Sequence, residues 1–338
     1  MASLLEKPAL KWFRPLRAAL KRKPVAQKLC AARLGESWGF IDDRGDWVIA
    51  DQYQGAESFS EGLAKIKRKD LRGYIGSNGD EVISPRFKGA MSFTEGLAAV
   101  KLDELWGYVD AGGELQIPFQ YEKAFPFHDG LARVCMDNQW GFIDGQGYPL
   151  IPCQFEDARN FYGGLASVKL NDKYGYINTD GDLQIAAEYD WTHEFSEHLA
   201  MVEQEGKWGF INDKGESIVP CIFDDAWMFS EGSAPVHNDG RWGYIGIKGN
   251  YLIPNEFDWA GRFSKGLAPV LRKEKYGFID KYGKPVIPYL FDGVPVFSKG
   301  FQEGLAAVMR DKKYGFIDRH GRQIIPCQFD EVRDFQGL

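Results

Sequence analysis

One short motif recurs along almost the whole chain of 338 residues and limits what it can fold into. In its clearest copy the motif reads Trp140-Gly141-Phe142-Ile143-Asp144, and a turn glycine, Gly147, follows it. The first glycines of the copies lie 34 residues apart seven times and 38 residues apart once, at Gly39, Gly73, Gly107, Gly141, Gly175, Gly209, Gly243, Gly277 and Gly315. A fixed period of this length is typical of repeat architectures, in which each copy is one supersecondary unit. We therefore expect one continuous array in place of two ordinary domains.

The array covers residues 29–338, and its nine copies begin at Leu29, Leu63, Leu97, Leu131, Leu165, Leu199, Ser233, Leu267 and Leu305. Residues 1–28 do not match the repeat and carry eight Lys or Arg and one acid. Within them, Leu16, Ala19 and Leu20 share one helical face by their i, i+3, i+4 spacing. Two interpretations stay open for this basic segment. It is a cap helix or tail at the first copy, or it is a helix that contacts a membrane surface or an acidic partner.

Each copy reads as a few short strands joined by tight turns. Residues 106–110 alternate between two faces with the period of a strand. An Asp or Asn begins the next turn in seven copies and a Gly ends it in all nine, as at Asp144 and Gly147, and this pairing predicts a β-hairpin. The strand after the turn contains a proline in six copies, such as Pro152. Because proline lacks the ladder N–H, an edge, a bulge or a strand end is expected there.

A phenylalanine column completes each copy, with members at Phe59, Phe93, Phe127, Phe161, Phe195, Phe229, Phe263, Phe297 and Phe335. One copy alone cannot bury this column, so stability should come from contacts between neighbouring copies. In an open stack, Phe195→Ala in the middle should therefore cost more stability than Phe335→Ala at the end.

Three motifs together, Trp-Gly-Phe-Ile-Asp, Ile-Ile-Pro and Phe-Ser-Glu-Gly-Leu-Ala, resemble the WG-repeat family of bacterial proteins. The resemblance covers the whole array and is specific because several columns agree in phase. The chain departs from the pattern at Tyr174, Tyr276 and Tyr314, where Tyr replaces Trp, and at Arg72. The resemblance implies an all-β repeat protein with a binding or scaffold role that is not tied to one activity. The aromatic-Gly hairpins also resemble, more loosely, the repeats of cell-wall-binding modules.

We predict an all-β fold of nine tandem β-hairpin repeats that forms an open solenoid or superhelix. A closed β-propeller is the alternative. We rank closure second because a repeat of 34 residues is short for a four-stranded blade, and nine blades would be many.

Charge and composition exclude several classes of function. The net charge is −7, and residues 29–338 contain 33 basic and 47 acidic residues, so we expect no nucleic acid along the array. No apolar run reaches the roughly 18–20 residues of a membrane span, and the N-terminus lacks the apolar region of a secretory signal. The cysteine count is 5, an odd number with no disulfide framework. These observations favour a cytoplasmic protein.

No constellation of residues points to catalysis, a metal or a cofactor. The histidines, His128, His193, His198, His237 and His320, fall at five different positions of the repeat. Cys153, Cys221 and Cys327 share one position and are expected to be small buried hydrophobes. A column of acids, Glu122, Glu156, Asp190, Asp224, Asp258, Asp292 and Asp330, either hydrogen-bonds the backbone of turns or binds cations or a basic partner. We predict no enzyme activity, no metal and no cofactor.

The departures from the repeat are the best candidates for function, because the repeated residues are already explained by folding. Trp191 and Trp259 share a position that holds no Trp elsewhere, Trp227 lies near it in the copy between, and His193 follows Trp191. These side chains either form an aromatic strip for a peptide or a glycan, or they are additional core. The four residues Phe301-Gln302-Glu303-Gly304 duplicate the junction between copies and are expected to form a loop at one edge.

The sequence therefore predicts a non-catalytic scaffold that binds a protein through Trp191, Trp227, Trp259 and His193. The alternative is a module that binds a glycan or the cell envelope. The sequence does not name the partner.

Overall fold

The computed structural model of the chain describes residues 28–295 and 300–337. Within these ranges the chain consists of strands and turns, and no helix there is long and apolar enough to cross a membrane. The interpretations of the basic segment as a cap helix, a tail or a membrane contact concern residues 1–27, which lie outside the described residues.

The described chain forms nine antiparallel sheets, which we call blades and number in chain order. The first blade contains β1 (Lys28–Leu34), β2 (Ser37–Ile41) and β3 (Trp47–Tyr53). The second and third contain β4 (Gly55–Ser60), β5 (Leu63–Arg68), β6 (Leu71–Gly76) and β7 (Glu81–Phe87), then β8 (Gly89–Ala90), β9 (Leu97–Leu102), β10 (Leu105–Asp110) and β11 (Leu115–Tyr121). The fourth and fifth contain β12 (Lys123–Ala124), β13 (Ala132–Met136), β14 (Gln139–Ile143) and β15 (Pro149–Phe155), then β16 (Asp157–Ala158), β17 (Ala166–Leu170), β18 (Lys173–Ile177) and β19 (Leu183–Tyr189).

The sixth and seventh blades contain β20 (Trp191–Ser196), β21 (Leu199–Gln204), β22 (Lys207–Asn212) and β23 (Ser217–Phe223), then β24 (Asp225–Ala226), β25 (Ser233–Asn238), β26 (Arg241–Gly246) and β27 (Tyr251–Phe257). The eighth contains β28 (Trp259–Ala260), β29 (Ala268–Arg272), β30 (Lys275–Ile279) and β31 (Pro285–Phe291), and the ninth contains β32 (Leu305–Arg310), β33 (Lys313–Asp318) and β34 (Gln323–Phe329). The last two strands, β35 (Glu331–Val332) and β36 (Gln336–Gly337), return to the first blade.

A complete blade is a meander of four strands, and its first strand, which we call the lead strand, is only two residues long in most blades. In the fourth blade the order is β12-β13-β14-β15. The lead strand follows the last strand of the previous blade after one residue, because β11 ends at Tyr121 and β12 begins at Lys123. The chain therefore passes from one blade to the next without a long connection, which is how 34 residues suffice for four strands.

The glycine of the recurring motif is required by a bulge in the neighbouring strand. In the fourth blade Trp140 pairs with Phe155 and Phe142 pairs with Ile151, so β15 has extra residues opposite Gly141. A Cβ on Gly141 would lie 2.6 Å from the backbone nitrogen of Cys153 and the carbonyl oxygen of Ile151. The bulge predicted at the conserved-phase proline is thus confirmed on the edge strand of the blade.

The predicted hairpin turn is also confirmed. Asp144 Oδ1 accepts the backbone N–H of Gln146 at 2.9 Å and of Tyr148 at 2.8 Å, and Gly147 has a φ of 85°. The acidic side chain therefore closes the turn that joins β14 to β15.

The hydrophobic core is divided into nine clusters, and each cluster lies between two successive blades. The third and fourth blades, for example, share a cluster that contains Tyr108 and Ile117 from one blade and Ala124, Phe127 and Val134 from the other. The ninth and first blades share one as well, which contains Phe316 and Phe329 together with Cys30 and Phe335. Nine interfaces for nine blades mean that the array is closed into a ring.

The phenylalanine column forms one aromatic contact at each of these interfaces. In eight of the nine contacts the column residue is the one that the sequence pattern predicts, as at Phe210–Phe229 and Phe316–Phe335, where the ring centroids lie 4.8 Å apart. At the remaining contact Phe301 packs against Phe278, and Ser264 Oγ donates to the Phe301 carbonyl as serines do in other blades. The junction is therefore formed by Phe301-Gln302-Glu303-Gly304, and these residues are not an added loop. Phe297, which the pattern assigned to the column, lies outside the described residues.

The all-β fold with nine repeats is confirmed, but the open solenoid is wrong and the chain is a nine-bladed β-propeller. Strand β35 pairs with β1 through Ala32↔Val332 and Arg33↔Glu331, and so provides the lead strand that the first copy lacks. Strand β36 adds the pairs Lys28↔Gly337 and Leu29↔Gln336. The expectation that Phe335 behaves as the end of a stack rested on the open array and fails with it, because Phe335 is 1% exposed between two blades.

Candidate functional site

The residues that depart from the repeat lie on one face of the lead strands. Because side chains alternate along a strand, the first and third residues of each lead strand point to one face and the small residue between them points to the other. The middle residues Ala124, Ala158, Thr192, Ala226 and Ala260 are all buried. The other face, which we call the lead-strand face, carries Gly55, Gly89, Lys123, Asp157, Trp191, Asp225, Trp259, Gly293 and Glu331 at the first position and Glu57, Met91, Phe125, Arg159, His193, Trp227, Gly261, Pro295 and Arg333 at the third.

The face is chemically divided around the ring. Lysine and arginine occur on it in the first, fourth and fifth blades, at Arg333, Lys123 and Arg159, and the neighbouring strand of the second blade adds Lys65 and Lys67. The sixth to eighth blades carry the three tryptophans and no Lys or Arg at these positions. A basic sector thus adjoins an aromatic sector on the same surface.

Two of the four predicted contact residues, Trp227 and Trp259, line one cavity. Its volume is about 530 Å³, and it lies between the seventh, eighth and ninth blades. The apolar part of its wall includes Phe263, Pro269 and Phe278. Trp227 is 37% exposed and Trp259 is partly buried, so both rings are accessible from this surface.

Gly261 shapes the cavity because it stands where other blades have a large side chain. Its equivalents two, three and four blades earlier are His193, Arg159 and Phe125. A Cβ at Gly261 would lie 2.8 Å from Pro269 Cγ and 2.9 Å from the Trp259 ring. The glycine therefore lets the Trp259 ring lie over the backbone of its own blade.

The polar part of the wall consists of Ser230, Glu231, Arg262, Ser264 and Lys265, with Gln302. Ser230 Oγ donates to the Phe263 carbonyl at 2.8 Å, and Ser264 Oγ donates to the Phe301 carbonyl at 3.1 Å. The carboxylate of Glu231 accepts the backbone N–H groups of Lys265 and Gly266 at 2.6 and 2.8 Å. These three side chains tie successive blades together, so the cationic groups of Arg262 and Lys265 remain as the charged contacts that the wall offers to a ligand.

The structure places Trp191 and His193 outside this cavity, one blade earlier. Trp191 is 38% exposed, and its ring centroid lies 5.4 Å from that of Tyr174 and 4.4 Å from the Arg159 guanidinium. His193 Nδ1 lies 3.8 Å from the Glu194 carboxylate, and the hydrogen bond from His193 is the largest cause that holds the pKa of Glu194 below its usual value. The two residues continue the lead-strand face towards the basic sector.

The sequence reasoning missed Gly261, Pro269, Arg262 and Val294 as parts of the wall. A signal for Gly261 was present, because it is in register with Trp227 and interrupts a column of large side chains. Pro269 and Val294 gave no such signal, since apolar residues at these positions are equally compatible with the repeat core.

The acidic column is a structural element of the ring. Each of the seven acids accepts a backbone N–H from a turn of the following blade at 2.8–3.3 Å, from Asn138, Asp172, Glu205, Asp239, Lys273, Asp311 and Gly35 in order. Five of the acids also pair with Lys or Arg of their own copy. The lysine hydrogen bond is the largest cause that lowers the pKa of Asp190, Asp292 and Asp330. The turn-binding interpretation of these acids is therefore confirmed.

The cysteines and histidines occupy packing positions. The thiols of Cys153, Cys221 and Cys327 are half-buried and point to equivalent carbonyls at 3.8–3.9 Å, and burial raises the pKa of each thiol. His128 packs against Tyr162, and His237 packs against Trp242. Within residues 28–295 and 300–337, no group of three or more His, Cys, Asp or Glu side chains is arranged to hold a metal ion.

A closed ring of nine antiparallel blades, each built from one repeat, defines the class of the protein as a repeat-built β-propeller, which is a general fold for binding and scaffolding. The model of the WG containing repeat matches residues 38–71, 73–106, 106–140, 140–174, 174–208, 208–242, 242–276, 276–314 and 314–337. The chain therefore belongs to the WG-repeat family. No curated protein matches it in sequence.

Solved structures resemble the chain in fold. A eukaryotic initiation factor superimposes with a TM-score of 0.66 at 12% identity, over 92% of this chain and 98% of the other. The dihydro-heme d1 dehydrogenase NirN, solved in complex with DHE, superimposes with a TM-score of 0.53 at 13% identity, over 96% of this chain and 77% of the other. At these identities the likeness concerns the fold alone.

Proposed function

We propose that this propeller is a non-catalytic scaffold that binds a protein partner through the cavity between its seventh and ninth blades. The observation that carries the proposal is that Trp227 and Trp259, two of the strongest departures from the repeat, line the same cavity. Tryptophan and arginine are enriched among residues that dominate protein interfaces, and the wall contains both. A volume of about 530 Å³ accommodates one or two bulky side chains of a partner.

A binding role is favoured over catalysis by the partners of the polar groups in the wall. The hydroxyls of Ser230 and Ser264 donate to backbone carbonyls, and Glu231 accepts two backbone N–H groups. Among the described residues that line the cavity there is neither histidine nor cysteine. A nucleophile or general base would need a partner arrangement that these groups do not provide.

The test is affinity capture with three variants, read by quantitative mass spectrometry. We expect a defined set of proteins with the unchanged chain and with Tyr282→Ala, which removes an aromatic ring that is 77% exposed on a turn. The same proteins should be lost with Trp227→Ala and with Trp259→Ala, because both rings line the cavity. Equal recovery by all variants would place any partner elsewhere and contradict the proposal.

A chain that lacks residues 1–28 provides the second arm of this experiment. Partners kept by the shortened chain are bound by the propeller. Partners or lipid vesicles held only by the full chain would assign binding to the basic segment and contradict a role for the cavity.

The second candidate function is recognition of a glycan or of the cell envelope. Two tryptophans in one cavity with Arg262, Lys265 and Gln302 nearby would suit a sugar, whose apolar faces stack on aromatic rings while its hydroxyls bind polar groups. Binding on a glycan array that disappears with Trp259→Ala and persists with Tyr282→Ala would favour this candidate. Absence of binding by the unchanged chain would count against it.

A cytoplasmic location and the absence of nucleic acid along the propeller belong to the same proposal. The free thiols of Cys30, Cys135, Cys153, Cys221 and Cys327 support a reducing compartment. The excess of acids in residues 29–338 supports a partner other than nucleic acid.

A further inference from the structure

Two arginines in the basic sector, Arg133 and Arg159, lie flat against aromatic rings. The Arg133 Cζ atom lies 3.6 Å from the Phe125 ring centroid and 5.3 Å from that of Trp140. The Arg159 Cζ atom lies 4.4 Å from the Trp191 ring centroid. Stacking of this kind covers the faces of a guanidinium and leaves its N–H edges for ligands.

Neither arginine is neutralised by a carboxylate of the described chain. Arg133 Nη1 donates to the carbonyl oxygen of Ala158, the residue before Arg159, and no carboxylate within residues 28–295 and 300–337 lies within 4.0 Å of either guanidinium. The Nε–H of each is buried and lacks an acceptor among these residues. The first blade shows the contrast, because Arg33 and Arg333 there both pair with Glu331.

The two cations are close enough to affect one another. Burial, the largest cause, lowers the pKa of Arg133 to about 10, Asp157 opposes this, and the positive charge of Arg159 lowers it further. Arg133 is therefore still charged at neutral pH. Both carboxylates of the neighbourhood have other partners, because Asp157 accepts the Tyr174 hydroxyl at 2.8 Å and Glu194 faces His193.

We propose that Arg133 and Arg159 form a binding site for a carboxylate of an acidic peptide segment. The proposal deepens the proposed function, since it gives the protein partner an acidic segment that crosses the fourth to sixth blades beside the aromatic cavity. Asp157 and Glu194 leave the site with little net positive charge, which suits a carboxylate with one charge better than a phosphate with two. Guanidinium edges also match the planar carboxylate group.

The probe is a hexaglutamate peptide titrated into the full chain and followed by calorimetry and by tryptophan fluorescence, which senses Trp191 beside Arg159. Arg133→Gln and Arg159→Gln are each expected to weaken binding by about tenfold or more, the usual cost of losing a charge-assisted hydrogen bond. Lys248→Gln is the matched control, because it removes one positive charge from an exposed turn of the seventh blade. It should leave the affinity unchanged.

Equal weakening by Lys248→Gln, or no binding of hexaglutamate at all, would overturn the proposal. Inorganic phosphate is the second probe, and binding of phosphate in place of hexaglutamate would overturn the choice of a carboxylate. Arg159→Lys guards against a variant that fails to fold, and it should retain part of the affinity because it keeps the charge and loses the planar group.

Trp259→Ala separates this inference from the proposed function. It should leave the binding of hexaglutamate unchanged, since the peptide has no aromatic side chain for the cavity. Capture of a partner that depends on Trp259 but not on Arg133 would leave the scaffold intact and refute the acidic segment.

Discussion

The first blade, which joins the two ends of the chain, and the seventh blade, which is formed by continuous chain, make the same contacts. The backbone N–H of Asp330 donates to the Arg33 carbonyl at 2.9 Å, and that of Asp224 donates to the His237 carbonyl at 3.0 Å. The Asp330 carboxylate accepts the N–H of Gly35 at 2.8 Å, and that of Asp224 accepts the N–H of Asp239 at 3.2 Å. The phenylalanine contacts Phe316–Phe335 and Phe210–Phe229 both have centroid distances of 4.8 Å.

The two blades differ in the length of chain that each contact closes. The bond between Asp330 and Gly35 spans 295 residues, whereas the bond between Asp224 and Asp239 spans 15 residues. Each doubling of a flexible loop costs only about 0.6 kcal/mol, so the first blade pays roughly 2–3 kcal/mol more in chain entropy for the same contacts. Closure of the ring is therefore favourable because one ordinary interface exceeds this cost.

The largest effect is expected from a chain that ends at Phe329. It loses β35 and β36, exposes Cys30 and Leu29, and opens the ring. We expect its free energy of unfolding to fall by more than the roughly 3–5 kcal/mol of a single buried phenylalanine. Chemical denaturation followed by circular dichroism measures the change.

A synthetic peptide of residues 330–338 is the control for this truncation. Added in excess, it should bind the shortened chain and return the denaturation midpoint towards that of the intact protein. A shortened chain that unfolds at the midpoint of the intact one would show that the contacts of the first blade contribute nothing to stability.

Phe335→Ala and Phe229→Ala compare the two blades at one side chain. Both phenylalanines are 1% exposed and make equivalent aromatic contacts. We expect each variant to lower the free energy of unfolding by about 3–5 kcal/mol, with equal losses within error. A much smaller loss for Phe335→Ala would mean that the end of the chain is not packed as the closed ring requires.

Most of one blade was predictable from the sequence, because its signals are local. The Asp144–Gly147 turn, the bulge at Pro152 and the phenylalanine column follow from residue types at fixed spacing. Closure was not predictable in this way, since every copy has the same local pattern whether the ends meet or not. The lead strands were also missed, because two residues such as Lys123–Ala124 are too few to show an alternating pattern.

The candidate site was predictable where it departs from the repeat and hidden where it does not. Trp227 and Trp259 stood out as departures and share a cavity, whereas Trp191 and His193 stood out equally and lie outside it. Which of them meet depends on Gly261, a residue that is notable for the side chain it lacks. Phe301 illustrates the same limit, because Phe297 fits the spacing of the column and Phe301 fits its packing.

Cys30→Ala tests the one side chain that distinguishes the first blade from the others. The equivalent residue is alanine in every other copy, at Ala64, Ala98, Ala132, Ala166, Ala200, Ala234, Ala268 and Ala306. The Cys30 thiol is fully buried, and it donates to the Arg333 carbonyl of the returning chain at 2.9 Å. Its loss should lower the free energy of unfolding by about 1 kcal/mol, which a thermal melt of both proteins measures. No change would mean that the thiol is only a filler of the interface.

The smallest effect is expected from the acids, and it depends on pH. The lysine hydrogen bond, followed by the backbone bond to Gly35, lowers the pKa of Asp330 from its ordinary value. A lowered pKa in the folded state means that the contribution of Asp330 to stability is fully present above the unfolded pKa of about 3.9 and is lost as the pH falls through the folded pKa. Stability measured by denaturation between pH 6 and pH 2 should therefore decrease in the acidic part of this range, and Asp330→Asn should reduce that decrease.

Asp190→Asn in the sixth blade is the matched variant for this measurement. Asp190 pairs with Lys173 and accepts the N–H of Glu205 at 2.9 Å, as Asp330 does with Lys313 and Gly35, whereas Asp224 has His237 4.0 Å away and would titrate together with it. Because the two carboxylates have the same partners, both variants should reduce the acid dependence equally. A larger reduction with Asp330→Asn would show that the closing contact, although it has the same geometry as its equivalents, is the one at which the ring opens first in acid.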